Sequence, residues 1–378
     1  MAIQGCLDRF DNTIAGWAYD SDMPGHALEI TVETEGHEIY RSRADLYRGD
    51  LLDAIGECDH GFSFDLLVVR PEANELTISI YACGEQKQYL GGGYWKSTDV
   101  AVEGRDGWLF LNTDSNDVNA VISGSKIIDD CHLNECALLF ATRAAMLRQL
   151  HIPYQSYIMP EKNVVHASQR YNASISENRP AIVIPAIAKE YGCELIYPLS
   201  DFQNDGPFYH KTDTHANAAG YALLFAHLQE AHAALLSKPA LPEPVRNLSF
   251  CGDLGNKFTP PKREQTAEYV FPLDLDDFKL VDPIPSILES GGTLRGTSVR
   301  TYYDSAPCGK VLVFGTSSAY GFLPLLCHVF KQILFIWENT FDYQIIQRFS
   351  PDLVLHIVSE RFLPISCNDL LGIPAADI

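Results

Sequence analysis

The chain changes its pattern once, near Ser97, and that change constrains its architecture more than any single residue does. From Ala15 to about Tyr89, short apolar stretches ("TIAGWAYD", "HALEITVET", "HEIYRS", "GFSFDLLVV", "ELTISIYA") alternate with Gly, Pro, Asp and Asn punctuation. Strands this short, with turn residues at this spacing, predict a small antiparallel β-sandwich. "RADLYRGDLLDAIGECDHGFSF" interrupts them with a short helical turn, and "GGGYWKST" closes the segment. Residues 1–97 are therefore expected to form an accessory sandwich domain and residues 98–378 a second domain.

Beyond the boundary, helical and strand patterns alternate. "NECALLFATRAAMLRQLHI" has helical spacing and precedes the strand pattern "IPYQSYIMP"; "PAIVIPAIAKEYG" reads as a helix leading into a strand, "CELIYPL". A longer helix, "NAAGYALLFAHLQEAHAALL", is followed later by "GKVLVFGTSS", "GFLPLLCHVF", "KQILFIW", "YQIIQRF" and "PDLVLHIVS", strand and helix in turn. Repeated units of this kind predict an α/β fold with a parallel sheet flanked by helices on both faces. The stretch from Pro239 to Cys308, broken by "LPEP", "TPPK" and "VDPIPS", reads as loops with a few strands over the sheet end where ligands of α/β proteins sit.

The formal net charge is -21 with a sequence pI near 4.9, and no Lys or Arg run offers a basic stripe. Nucleic acid and anionic membrane surfaces are disfavoured, because this field repels polyanions. No stretch reaches the roughly 20 apolar residues of a membrane span, and "MAIQGCLDRFDNTIAG" lacks a signal-peptide pattern. The expectation is a cytoplasmic protein, or a periplasmic one if a leader was trimmed from the sequence. Ten cysteines are scattered without CxxC spacing, and His166, His227, His232 and His356 show no ligand spacing. Reduced thiols are expected, with no metal and no cofactor.

Two motifs carry chemistry. "FYHKTDTHANAAGY" sets Asp213 and His215 two positions apart where a polar loop enters an alanine-rich helix. Asp213 or Thr214 could simply cap that helix; the alternative is a base and its orienting carboxylate. "VLVFGTSSAYGF" places Ser317 after a buried-type strand and a glycine, at the mouth of a helix whose opening amides would face an oxyanion. Thr316, Ser317 and Ser318 could also be no more than caps. The motifs reinforce each other, since a serine hydroxyl is a poor nucleophile until a base takes its proton.

These residues also carry a resemblance. "GTSS" after an apolar strand resembles the nucleophile block of SGNH-type hydrolases, and "KTDTHANAAGY" resembles the D-x-H-W-N block of the alginate O-acetyltransferase family of the AlgX/AlgJ type. "VEGRDGWLFL", "YIMPEKNVV" and "PDLVLHIVSERFL" match further motifs of that family in order, from about Val102 to Leu363. The resemblance implies an SGNH-hydrolase-like fold with Ser317 as nucleophile, His215 as general base and Asp213 as its orienter. The implied substrates are a bacterial polysaccharide or glycan precursor and an acetyl donor, in the company of other proteins of a polysaccharide biosynthesis system. Ala216 departs from the family's Trp, so one wall of a glycan cleft is missing or comes from elsewhere, and Thr316 stands where an acidic residue is often found.

Softer candidates surround the motifs. Asn217 could donate to an oxyanion or cap its helix. Lys162 and Arg361 could bind a sugar carboxylate, hold the cleft, or be paired. Tyr209, His210 and Tyr320 could stack on sugar rings or pack. The first segment, from Gly5 to Tyr89, resembles a β-sandwich module found beside bacterial polysaccharide enzymes. Its Trp17 and Tyr19 share one face, which could stack on sugars, and are read in preference as sandwich core. Two functions compete: an O-acetyltransferase or acetylesterase working through a Ser-His-Asp triad and an acyl-enzyme, or a non-catalytic glycan-binding or scaffolding protein.

Overall fold

The structure, a computed structural model, describes residues 3–69, 75–96, 99–126, 128–171, 173–204, 206–236, 241–281, 298–364 and 369. The chain forms two compact units, one of Met1–Gly107 with Leu111–Thr113 and Gln169–Asn172, the other of the remaining residues.

Among the described residues, the sandwich of the first unit is built from β1 (Ile3–Phe10), β2 (Thr13–Asp20), β3 (Glu29–Thr34), β4 (His37–Arg43), β5 (Leu46–Tyr47), β6 (Asp59–Asp65), β7 (Glu75–Cys83) and β8 (Lys87–Lys96). They form two antiparallel sheets, β1-β2-β6-β5 and β4-β3-β7-β8. Between them lies a core that includes Ile14, Ile30, Val32, Phe62, Phe64, Ile78, Ile80 and Trp95. Alternation along β2 buries Ile14, Gly16 and Ala18 and leaves Trp17 and Tyr19 half-buried on the opposite, outer face. This corrects their reading as core: the two rings do share a side, but Ile14 and Ala18 take the inner one.

In the second unit, six strands form one sheet: β9 (Tyr154–Met159), β12 (Phe278–Val281), β13 (Ser298–Tyr303), β14 (Cys308–Gly315), β15 (Phe330–Ile336) and β16 (Leu353–Ser359), in the order β9-β16-β14-β15-β13-β12. A separate antiparallel pair comprises β10 (Val245–Phe250) and β11 (Glu264–Glu268). The large sheet is mixed, not parallel throughout. β9, β16, β14 and β15 run parallel, while β13 and β12 are antiparallel additions at one edge. The link 304–307 from β13 to β14 is too short for the crossover that a parallel orientation requires. "CELIYPL" is not a strand either; it contributes an isolated bridge between Ile196 and Tyr157.

Five helices matter for the site: α1 (Asp130–Gln149), α2 (Pro180–Glu190), α3 (Ala218–Ala231), α4 (Ser317–Leu326) and α5 (Tyr343–Phe349). Val311 to Phe314 of β14 are all at 0% exposure. Such an unbroken apolar run marks a strand covered on both faces, and each side chain of this size contributes roughly 1.5–3 kcal/mol on burial. Leu312 and Phe314 pack with Ile345, Ile346 and Phe349 of α5, and α1 and α2 pack against Ile158 of β9 and Val358 of β16. The α3 ring of Tyr221 stacks on Phe322 of α4 at 5.6 Å, and its hydroxyl donates to the Ser318 carbonyl at 3.1 Å. Among the described residues, no helix is long and apolar enough to cross a membrane.

Candidate active site

Because β9, β14, β15 and β16 are parallel, they deliver Met159, Gly315, Ile336 and Ser359 to one rim of the sheet. At the end of β14 the chain turns sharply. The Thr316 amide donates to the Ile357 carbonyl at 3.1 Å, and a Cβ on Gly315, whose φ is +152°, would run into that same oxygen. Only glycine allows the approach. Ser317 is then the first residue of α4.

The three neighbouring hydroxyls have different surroundings. Thr316 occupies the N-cap position without a side-chain cap bond; its hydroxyl and that of Ser318 lie 3.3 and 2.8 Å from Ser359 Oγ. Both are buried. Ser317 is half-buried, and its hydroxyl bonds to none of the described residues. The amides that open α4 have no helical acceptor behind them and point outward from the turn.

The Asp213 and His215 segment is a small hairpin. Tyr209 bridges Ala216, the His210 amide donates to the His215 carbonyl at 3.2 Å, and the Asn217 amide to the Phe208 carbonyl at 3.0 Å. At its tip, Asp213 Oδ1 accepts from His215 Nδ1 at 2.5 Å and from the His215 amide at 2.9 Å. Nδ1 is thereby fixed as the protonated nitrogen, leaving Nε2 as the basic one.

Residues from three other segments hold this tip. Lys162, 2% exposed, donates from Nζ to the carbonyls of His210 and Lys211, both at 3.2 Å, and of Asp213 at 2.5 Å. Glu264 on β11 accepts from the amides of Lys211 and Thr212 at 3.0 and 2.6 Å and from the Thr212 hydroxyl at 2.8 Å. The Asp253 amide donates to Asp213 Oδ2 at 2.7 Å, while its carboxylate accepts from the Thr214 amide at 2.8 Å and hydroxyl at 2.5 Å. Gly252 permits this approach, since a Cβ there would strike the Thr212 carbonyl and Asp213 Cβ.

The charges act together. Burial alone would raise the Asp213 carboxyl, but the hydrogen bond and charge of His215 and the amides of Asp253 and His215 hold it well below the usual carboxylate range. Burial alone would lower the His215 imidazole; the Asp213 bond and charge, then the Asp253 charge 4.0 Å away, raise it above its ordinary value, with Arg361 opposing. Burial pushes the Lys162 amine down to about 7 against the attraction of Asp253, Asp213 and Glu264. Ligand-type atoms of Asp213, His215 and Asp253 lie within 4.8 Å of one another, an arrangement that their mutual and main-chain hydrogen bonds already account for.

The remaining candidates divide. Asn217 caps α3: its Oδ1 accepts from the Gly220 amide at 3.1 Å and its Nδ2 donates to Pro207 at 2.6 Å and Tyr209 at 3.3 Å. Tyr209 is buried with its hydroxyl on the Pro160 carbonyl, and His210 is buried with Nε2 2.7 Å from Glu268. Arg361 clasps Glu161 at 2.9 and 3.0 Å and lies 3.5 Å from Asp114. These residues, like Lys162, have polar groups bonded within the protein. Tyr320 is half-buried, and its ring stacks on the exposed Trp337 at 5.7 Å and 26°. Ala216, 2% exposed, supplies no wall. Among the described residues no hydrogen bond joins His215 to Ser317; the Tyr221–Ser318 contact ties the helices that follow them.

Asp253, Gly252, Glu264 and Trp337 were not singled out by sequence reasoning. The signals available were the Gly-Asp pair in "CGDLG" and the Trp that ends "KQILFIW" at the carboxyl end of a strand.

The second unit is thus a mixed α/β fold: a partly parallel sheet covered by helices, with a serine at a strand-to-helix turn on its carboxyl rim. No family model matches the chain, and no curated protein sequence does. Among solved structures, Bacillus cereus PatB1 with a sulfonyl adduct is similar over 70% of this chain and 95% of its own, at 15% identity and a TM-score of 0.50. The O-acetyltransferase domain of Pseudomonas putida AlgJ is similar over 74% of this chain and 96% of its own (18% identity, TM-score 0.47). Pseudomonas aeruginosa AlgX is similar over 70% and 66% (13% identity, TM-score 0.38). AlgJ and AlgX, of the type to which the motifs pointed, are among these structures; the likeness to PatB1 is one of fold.

Proposed function

We propose that the second unit is a serine-dependent O-acetyltransferase or acetylesterase acting on a glycan, with Ser317, His215 and Asp213 as its triad. His215 Nε2 takes the Ser317 proton as Oγ attacks the acetyl carbonyl, and the amides of Ser317 and Ser318 meet the oxyanion. His215 returns the proton to the departing alkoxide. The acetyl-serine then passes its acyl group to a sugar hydroxyl or to water, whose proton goes to His215 and back to Ser317. Asp213 keeps the imidazole in the required tautomer.

The observation that carries this reading is the Asp213–His215 bond of 2.5 Å on a hairpin braced from three sides, together with a serine hydroxyl at a helix mouth that is uncommitted among the described residues. The motif resemblance favours acetyl transfer to a carbohydrate over simple hydrolysis. A second reading, a glycan-binding protein without chemistry, is favoured by the missing His215–Ser317 bond. Labelling with a serine-directed fluorophosphonate separates them: label present in the native chain and lost in Ser317→Ala supports the enzyme, and no label with no turnover of an aryl acetate defeats it. Acetate release with and without a glycan acceptor then distinguishes transferase from esterase.

A further inference from the structure

The second unit presents a braced aromatic surface next to Ser317. β14 and β15 pair in register up to Phe314 and Ile336, and Gly315 and Trp337 are the residues that directly follow that last pair on the two chains. On α4, Ser317 and Tyr320 are one turn apart and share a face. The Tyr320 ring stacks on Trp337, and Phe335 backs both rings at 5.8 and 6.0 Å. Trp337 remains 40% exposed, whereas Trp95 and Trp108 are 2% and 6% exposed. A lone exposed apolar side chain is ordinary. An indole stacked on Tyr320 and backed by Phe335, with Tyr320 one helical turn from an uncommitted serine, is a prepared platform.

The chemistry narrows what fits it. A pyranose ring has an apolar C–H face that buries against an indole and a hydroxylated edge that stays in water, which suits a half-exposed aromatic. The cations that the motifs offered for a sugar carboxylate are committed elsewhere: Lys162 to three carbonyls and Arg361 to Glu161. The chain as a whole carries -21. Anionic sugars meet an unfavourable field, and neutral ones do not.

We propose that Trp337 and Tyr320 form a sugar subsite beside Ser317 that takes a neutral pyranose ring, a specificity determinant resting on the glycan reading above. Its test uses Ser317→Ala protein, so that no turnover is needed, and measures binding of cellotetraose, mannotetraose and a mannuronate tetrasaccharide by calorimetry. The expected result is binding of at least one neutral oligosaccharide in preference to the mannuronate, weakened about tenfold or more by Trp337→Ala, as loss of one stacking contact of about 1.4 kcal/mol implies. Trp337→Phe, which keeps a ring and is the variant to rely on should Trp337→Ala not fold, retains most of the affinity. Tyr191→Ala, which removes an exposed ring at the end of α2, leaves it unchanged. The proposal is overturned if none of the three binds, if the mannuronate binds best, or if Trp337→Ala binds as tightly as its parent. It is also overturned if Trp337→Ala abolishes only self-association, which would assign the indole to contact between copies. Because binding is read without chemistry, the platform can stand or fall separately from Ser317 labelling.

Discussion

Asp253 holds Asp213 through its main chain while its own carboxylate holds the next residue: its amide donates to Asp213 Oδ2 at 2.7 Å, and its carboxylate takes the amide and hydroxyl of Thr214. The side chain that orients His215 is therefore itself oriented, and a second negative charge stands 4.0 Å from the imidazole. Both charges favour the imidazolium.

Replacing Asp253 by Asn keeps the amide and most of the shape but removes that charge. The imidazole of His215 then becomes easier to deprotonate, and its titration midpoint, followed by NMR with His215→Gln as the assignment control, moves to lower pH. The acid limb of kcat/KM moves the same way. The loss of rate should be smaller than the roughly ten-thousandfold cost of removing the direct carboxylate partner in a Ser-His-Asp triad. A midpoint that stays where it was would mean that Asp253 is only a structural tie.

The same pair sets a pH window for stability. Asp213 is depressed in the folded state, so its contribution is present above the unfolded Asp value of about 3.9 and fades as pH falls through the folded value. His215 is raised, so its contribution is full below the unfolded His value of about 6.5 and fades as pH rises through the folded one. The ion pair is therefore worth most between these two unfolded values. Asp213→Asn should cost about 1.5–3 kcal/mol in urea unfolding at pH 5 and distinctly less at pH 9. Equal costs at both pH values would contradict the charge assignment.

The two adjacent serines should part company on mutation. Ser317→Ala removes an unbonded hydroxyl, so the fold is untouched, while fluorophosphonate labelling disappears and aryl acetate turnover falls about a thousandfold or more. Ser318→Ala removes a buried hydroxyl bonded to Ser359, costs about 1 kcal/mol of stability, and leaves the labelling site in place. The reverse pattern would move the nucleophile to Ser318.

What was legible in the sequence follows from what physical signal each element leaves. β14 is buried on both faces, so it reads as an unbroken apolar run, and the Gly315 turn after it marks the helix mouth. The antiparallel edge strands leave no such sign, because Ser298–Tyr303 has the same local pattern in either direction and only the short link 304–307 decides it. Trp17 and Tyr19 were legible as sharing a face, but which face is inner depends on the Ile14 and Ala18 parity. Asp213 and His215 stand out because their partnership is local. Asp253 and Glu264 do not, since the groups they bond lie about 40 to 50 residues away and they themselves sit in a segment that looks irregular.

Lys162 shows why residue type alone misleads about role. A strand-end lysine reads as a candidate for a substrate carboxylate, yet its ammonium is buried and all three of its donors end on carbonyls of the hairpin that carries Asp213. An ammonium has three donors, so the arrangement is satisfied only while the amine keeps its proton. Lys162→Met fits the apolar surroundings of Trp108 and Phe110 but leaves those carbonyls without their donor. A buried acceptor stripped of its partner costs about 1–3 kcal/mol, so a loss of about 3 kcal/mol or more is expected for the three together. Chemical unfolding measures that loss. If the hairpin is what the lysine holds, the His215 titration midpoint changes in this variant as well, and a destabilised protein with an unaltered His215 would place the function of Lys162 elsewhere.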